Sequence, residues 1–292
     1  MRSPLSWVEE VLERTVLDHE PMAGATSSEV YRVAVTGGPP VMLRLFTNED
    51  WLAAEPDLAE HEAAALVAMA MSPLPTPQLL AVDETGLQAG VPAVLMTELS
   101  GSVVVDPANL QEWLDGLADA LAAIHGFEVS RFPWTYRVWQ DLGPLTVPKW
   151  SENPPLWEEL IGRVRRDLPP SSIGFVHRDF HPTNVLWSEG MVSGVVDWVN
   201  ACLGPLAVDV AHCRLNLAAM FGGVTAGSFT TRYEYLTGRA YDPSWDLFAA
   251  VEWLPDAAVY PPWRSLGLPD LDTPTVRSRV EAFVGKALER SE

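Results

Sequence analysis

Residues 175–187 read Phe-Val-His-Arg-Asp-Phe-His-Pro-Thr-Asn-Val-Leu-Trp, and Val-Val-Asp-Trp closes the stretch that follows, at 195–198. Residues 184–187 and 192–197 have strand character, and Ser188-Glu189-Gly190-Met191 supplies a turn between them, which predicts an antiparallel hairpin. Such a ribbon returns its last residue beside its first. Asn184 starts the outgoing strand and Asp197 ends the returning one, so their side-chain oxygens are predicted to converge at the open end. One carboxylate plus one amide carbonyl suits a hard cation such as Mg2+, which keeps its other positions for water and phosphates. Asp179 is predicted to lie in the loop feeding that same end. A carboxylate there would orient an alcohol and take its proton as a phosphoryl group moves. Asp and Asn are also common in loops for local hydrogen bonds. Three of them in the pattern His-x-Asp-x-x-x-x-Asn, with an Asp thirteen residues later, favour chemistry over turn formation.

With these residues in place the chain resembles the aminoglycoside phosphotransferase family, small-molecule kinases that share the protein-kinase-like fold. The family run is close to His-Gly-Asp-Phe-His-Pro-Gly-Asn-Val-Leu-Trp followed by a Val/Ile-Asp-Trp; here Arg178 and Thr183 stand in place of its two glycines. The resemblance covers most of the chain and is strongest over residues 174–214. It implies an α+β, bilobal protein-kinase-like fold, with an antiparallel-sheet N-lobe and a mainly helical C-lobe. It implies Asp179 as catalytic base, Asn184 and Asp197 as magnesium ligands, and ATP and Mg2+ as cofactors. Backbone groups around Glu98 to Ser100 would hold adenine. The family's phosphate-orienting basic residue maps to Arg44 and its helix partner to Glu62, an arginine holding phosphate as a fork rather than as a point charge. The loop at 24–28 lacks a full Gly-x-Gly-x-x-Gly, so backbone and the Ser27 and Ser28 hydroxyls would cover the phosphates. Asp209 matches a family Asp that braces the catalytic loop, and His177 is expected to anchor that loop by hydrogen bonding. Trp198 and His181 are candidates for the acceptor side.

Arg178 makes the run read His-Arg-Asp, as in protein kinases, where the arginine meets a phosphorylated activation loop. Only eleven residues separate Asp197 from Asp209, and no Ala-Pro-Glu follows. That is too short for a peptide-docking platform, so a protein substrate is not expected.

Charge narrows the partners. Nineteen Lys+Arg against thirty-nine Asp+Glu leave a formal charge of −20, and lysine occurs only at Lys149 and Lys286. A surface this acidic disfavours nucleic acid and anionic membranes and favours a cationic small molecule. Acidic residues at Asp246, Glu252, Asp256, Asp270 and Asp272 read either as an acceptor cleft for amino groups or as a solvated face. Two cysteines, Cys202 and Cys213, make no disulfide framework. No stretch approaches a membrane span, and Glu9, Glu10 and Glu13 stand where a secretory apolar core would be, so a cytoplasmic location is expected.

Along the chain, 1–100 is read as the strand-rich lobe that covers the nucleotide and 101–292 as the lobe with catalytic loop, metal site and acceptor pocket. A helix is predicted over 6–17, then strands over 29–35 and 41–46 around Thr36-Gly37-Gly38-Pro39-Pro40. A helix over 56–71 carries Leu58, Glu62, Ala65 and Met69 on one stripe, and a carboxylate on an apolar stripe requires a partner. Strands are predicted over 78–83 and 92–99, and a helix capped by Asp106 with Pro107 at its first position. The expected activity is ATP-dependent transfer of phosphate to a hydroxyl of a small, aminoglycoside-like or otherwise cationic alcohol. That would make antibiotic resistance one role open to it. A metabolic kinase acting on choline, homoserine or a sugar, and a nucleotide-binding scaffold without turnover, are the alternatives. A zinc hydrolase built on His177, Asp179, His181 and His212 is disfavoured by the oxygen donors at the hairpin end.

Overall fold

The computed structural model describes residues 3–22, 28–166, 168–254 and 256–290. The chain divides into two compact units, Met1–Gly101 with Ser193–Ala201, and Ser102–Val192 with Cys202–Glu292. The segment 193–201 therefore belongs with the first unit, where a boundary placed from sequence alone at about 100 would have left it in the second.

The first unit opens with α1 (Pro4–Leu12) and β1 (Val16–Pro21). The single helix predicted over 6–17 is thus a shorter helix followed by a strand. Glu13, at φ 52°, turns the chain in the left-handed region and ends α1. β1 is an edge strand with almost every side chain exposed, so backbone pairing holds it and no alternation marks it in the sequence. β2 (Glu29–Val35) and β3 (Val41–Leu45) follow, then α2 (Glu49–Ala54), α3 (Leu58–Met69), β4 (Leu79–Asp83) and β5 (Ala93–Thr97). The five strands form one antiparallel sheet in the order β1-β2-β3-β5-β4.

Strand alternation then assigns the faces of β3. Val41, Leu43 and Leu45 pack in a core with Val33, Val35 and Leu95 and with Trp7 and Val8 of α1. Met42 and Arg44 point to the other face. α3 packs against β4 and β5 and buries Leu58, Glu62, Ala65 and Met69, the four residues of the predicted stripe.

In the second unit β6 (Ser102–Val103) leads to α4 (Leu110–Gly126), α5 (Pro154–Val164) and β7 (Ile173–Val176). Asn109, not Asp106, caps α4, its Oδ1 accepting from the backbone N–H groups of Gln111 and Glu112. The first turn is thus shifted toward the buried Trp113 and Leu114, and Leu110 is 40% exposed.

A single 3-10 turn, Pro182–Asn184, carries the chain into β8 (Val185–Ser188), which pairs with β6 and turns into β9 (Met191–Val195). Glu189 and Gly190, at φ 51° and 78°, make the tight turn that a two-residue hairpin loop demands. β10 (Cys202–Pro205) pairs with β7, and α6 (Ala207–Phe221), α7 (Gly223–Thr237), α8 (Ser244–Val251), α9 (Pro261–Leu266) and α10 (Thr273–Arg290) complete the unit. α6 is buried on nearly every face and packs against α7, α8 and α10. An antiparallel sheet in one unit and a helical mass in the other are the protein-kinase-like architecture expected from sequence. Among the described residues no helix is long and apolar enough to cross a membrane.

Candidate active site

The loop after β7 is built from the backbone outward. Asp209 lies in the first turn of α6 and is fully buried. Its two oxygens accept from the backbone N–H groups of His177, at 2.8 Å, and Arg178, at 2.7 Å, while His125 Nε2 lies 3.1 Å from Oδ2. Burial pushes the Asp209 carboxyl up, but the His125 contact and the charge and N–H of His177 outweigh it and hold it below the usual carboxylate range. Asp209 thus ties the backbone of this loop to α6. His177 is also buried, meets Phe180 edge to face, and its Nδ1 accepts from the Asp179 N–H at 3.3 Å.

Arg178 sits at φ 71°, in the left-handed region that a glycine would occupy freely. Three contacts hold it there. Its Nη2 pairs with Glu252 at 3.0 Å, and its guanidinium lies 3.6 Å from the ring centre of Trp139 and 4.9 Å from that of Tyr136. The arginine thus faces α8 and these aromatic rings rather than a phosphorylated loop.

Asp179 follows at the loop's tip, its side chain 24% exposed. His212 Nε2, from α6, lies 3.1 Å from Asp179 Oδ1, and His181 Nε2 lies 3.6 Å from the same oxygen. Burial pushes the Asp179 carboxyl up, yet His181, His212 and His177 together outweigh it and drive it far below the ordinary range. His212 moves the opposite way: desolvation lowers it, but the carboxylates of Asp179 and Glu252 dominate and raise it to about 10. Asn184 Nδ2 donates to the Asp179 carbonyl at 2.9 Å and lies 3.4 Å from its Oδ2. That commitment of the amide nitrogen leaves Asn184 Oδ1, the metal-ligating atom expected from sequence, without a hydrogen-bond partner among the described residues.

Within the first unit a second cluster forms. Arg44 Nη1 lies 3.1 Å from Glu62 Oε1 and 2.7 Å from Asp197 Oδ1. The carboxylate on the apolar stripe of α3 thus has the cationic partner its burial requires. Burial pushes the Glu62 carboxyl up to about 7, Arg44 opposing and Asp197 reinforcing the rise. Asp197 itself is part exposed and sits at φ 68°, just past the end of β9. Left-handed backbone at a non-glycine residue costs about 1–2 kcal/mol. The contact with Arg44 is one interaction that holds Asp197 in place.

The remaining expectations fare unevenly. Ser27 falls outside the described residues, and Ser28 is half-buried at the start of β2. Glu98 Oε1 pairs with Arg32 Nε at 2.7 Å, and the Ser100 carbonyl already accepts from Ser193 Oγ at 2.6 Å. A hollow of about 630 Å³ beside Glu98, Leu99, Ser100 and Gly101 is walled by Val11, Leu12, Arg14 and Val41, so it opens on the α1 side of the sheet, opposite Arg44. Trp198 does not border a pocket in this structure. It is completely buried and its indole donates to the Val195 carbonyl, because the chain folds inward directly after Asp197. Of the five acidic residues read as a cleft or a solvated face, three are held in ion pairs: Asp246 with Arg214, Glu252 with Arg178 and His212, and Asp256 with Arg277. His212, which meets Asp179 from α6, and Glu252, which holds His212 from the end of α8, were not singled out for that role. The one hint in the sequence is that His212 stands a helical turn beyond Asp209.

A family model described as the phosphotransferase enzyme family matches residues 18–251. Among curated proteins, homoserine kinase of Rhizobium rhizogenes is 30% identical over 154 residues, 48% of this chain and 46% of that one. Aminoglycoside 3'-phosphotransferase of Enterococcus faecalis is 23% identical over 157 residues, 48% of this chain and 58% of that one. The chain thus spans about half the length of the curated relatives it matches. Among solved structures, a thermostable mutant of aminoglycoside phosphotransferase APH(4)-Ia superposes with a TM-score of 0.65 at 19% identity, covering 97% of this chain and 98% of that one. Macrolide 2'-phosphotransferase MphH of Brachybacterium faecium gives 0.63 at 14% identity, covering 96% and 97%. These likenesses establish the fold.

Proposed function

The chain belongs to the phosphotransferase enzyme family, and from that premise we propose that it transfers the γ-phosphate of ATP to a hydroxyl of a small molecule, with Asp179 as the base. The observation that carries this reading is the hold on Asp179. Its backbone is fixed through His177 and Asn184, and its Oδ1 is clasped by His212, while part of the carboxylate stays open to solvent. A carboxylate so far below its usual range binds a proton weakly. Its work is to orient the acceptor hydroxyl and take the proton only as the phosphoryl group moves, a role worth about 10²–10⁴ in rate.

The residues proposed for Mg2+ have the right chemistry, each taken within its own unit: Asn184 Oδ1 and Asp197 Oδ2 are oxygens without a hydrogen-bond partner among the described residues, and hard cations take oxygen. Bound there, the ion would neutralise phosphate charge. Arg44 supplies a fork of N–H donors for phosphate, and Glu62 aims it. Backbone groups around Glu98 to Ser100 are the proposed adenine contacts, with Ser27 and Ser28 over the phosphates.

For the acceptor, the charge of −20 favours an alcohol carrying a positively charged nitrogen. Aminoglycoside-like polycations and metabolic amino-alcohols such as homoserine or choline share that chemistry. The homoserine kinase relatives favour the metabolic arm. The test is ATP consumption against a panel of both kinds, in wild type and Asp179→Ala. Turnover in the variant is expected to fall about 10²–10⁴-fold with nucleotide affinity nearly intact. Near-normal turnover would remove Asp179 from the chemistry, and nucleotide binding without turnover on any acceptor would favour a scaffold.

A further inference from the structure

The group that clasps Asp179 has a composition the proposed transfer does not require. Asp179 Oδ1, His181 Nε2 and His212 Nε2 lie within 4.8 Å of one another. Two of the three separations, 3.1 Å and 3.6 Å, bracket the edge of a zinc tetrahedron. With Zn–N and Zn–O bonds of about 2.0–2.1 Å, neighbouring ligand atoms stand about 3.3 Å apart. We propose that Asp179, His181 and His212 form a binding site for a divalent transition-metal ion of the zinc class, separate from the oxygen donors Asn184 Oδ1 and Asp197.

The surroundings of both imidazoles point the same way. Ligand histidines almost always place their second ring nitrogen on an oxygen that fixes tautomer and orientation. His212 Nδ1 meets Glu252 Oε2 at 3.2 Å, and the other Glu252 oxygen is held by Arg178 at 3.0 Å. His181 Nδ1 meets Thr183 Oγ1 at 2.8 Å. Asn184 Nδ2, whose identity as nitrogen is set by its bond to the Asp179 carbonyl, lies 3.2 Å from His181 Nε2. A donor facing Nε2 puts the hydrogen of His181 on Nδ1, and the Nε2 lone pair accepts from Asn184 until an ion takes the place of that contact. One nitrogen becomes a ligand by exchanging the Asn184 N–H for the ion, and the other by giving up the proton it shares with Asp179. Binding forms the Zn–N bonds and the Zn–O bond, and that proton leaves to solvent. Three protein ligands leave a fourth position for water.

Mg2+ would not compete well here, since nitrogen donors disfavour it. On the reading that Asp179 is the base, a bound zinc ion ligates the same carboxylate that must receive the acceptor's proton, so micromolar zinc would suppress transfer in the presence of excess Mg2+.

The experiment titrates Zn2+ calorimetrically into the metal-stripped full chain in excess Mg2+, with Co2+ as a spectroscopic probe. One ion per chain is expected, with cobalt giving the visible absorption of a four-coordinate nitrogen-oxygen site. His212→Gln and His181→Asn should each weaken zinc at least about 100-fold, and Glu252→Gln, which touches no metal, about 10–100-fold. Because substitutions in a buried cluster can disturb folding, wild-type crystals soaked in zinc provide the second measurement: an anomalous peak between the three atoms. No peak there, or unchanged zinc affinity in both histidine variants when folded by circular dichroism, overturns the site. Zinc bound at the peak without loss of phosphotransfer keeps the site and removes Asp179 as base.

Discussion

Glu62 offers the sharpest test of the first-unit cluster. Its side chain is 1% exposed, and its carboxyl is raised from 4.5 to about 7, burial being the largest cause. The folded protein therefore keeps a proton that the unfolded chain has released. The stability contributed by this group is full below pH 4.5, falls as the pH rises toward about 7, and beyond that is a constant cost. At about 1.36 kcal/mol per pH unit the shift corresponds to about 3 kcal/mol. Glu62→Gln keeps an oxygen for Arg44 Nη1 and removes the titration. Urea unfolding of both proteins at about pH 5 and about pH 8 should show wild type losing about 2–3 kcal/mol relative to the variant. Other titrating groups are shared and cancel in the difference. Amide exchange of α3 supplies a local readout that does not depend on the two units unfolding together. Parallel pH profiles for the two proteins would show that the carboxylate ionises in place at no cost, and the reasoning from burial would fail.

Three further outcomes follow from the second unit. Arg178→Gly should be more stable than Arg178→Ala by about 1 kcal/mol in thermal unfolding, because both lose the Glu252 and Trp139 contacts but only glycine is at ease at φ 71°; equal stability would remove the strain. Gly116→Ala, which would stabilise an ordinary helix, should instead cost about 1–3 kcal/mol, since its Cβ would fall 2.6 Å from the Trp187 ring; a gain in melting temperature would contradict the packing. Asp209→Asn should cost on the order of 3 kcal/mol and raise amide exchange at residues 177 and 178, because one carboxylate serves both backbone donors and His125; unchanged protection at those amides would dismiss it as the brace.

What could be read from the sequence was what is local. β2 and β3 and the turn into β9 declare themselves through alternation and turn chemistry within a few residues. Asp179 and Asn184 are five apart, so one loop and one 3-10 turn bring them together. The stripe on α3 predicted that Glu62 needs a partner, but only the family resemblance named Arg44, because strand and helix meet through tertiary packing. β1 went unseen because edge pairing leaves no apolar period, and the cap of α4 was misplaced because Asp106-Pro107 and Asn109 offer rival start signals. The inward turn of Trp198 depends on contacts made by the whole first unit, which no local pattern encodes.

His212 and Glu252 lie furthest from such reach, and they alter how the proposed base would work. Trp139 stacks on Arg178, Arg178 holds Glu252, Glu252 holds His212 and His212 holds Asp179. Each link joins residues that are distant in sequence, yet all meet beside the first turns of α6. A glycine at 178 would leave the loop unstrained but would break the set at its second member. Arginine there exchanges backbone ease for a line of alternating charge that ends on the proposed catalytic carboxylate. Because His212 is raised to about 10, that line keeps a positive charge beside Asp179 throughout the physiological range. The carboxylate therefore stays ionised and oriented without being a strong base. That suits phosphoryl transfer, in which positioning of the hydroxyl outweighs early proton removal.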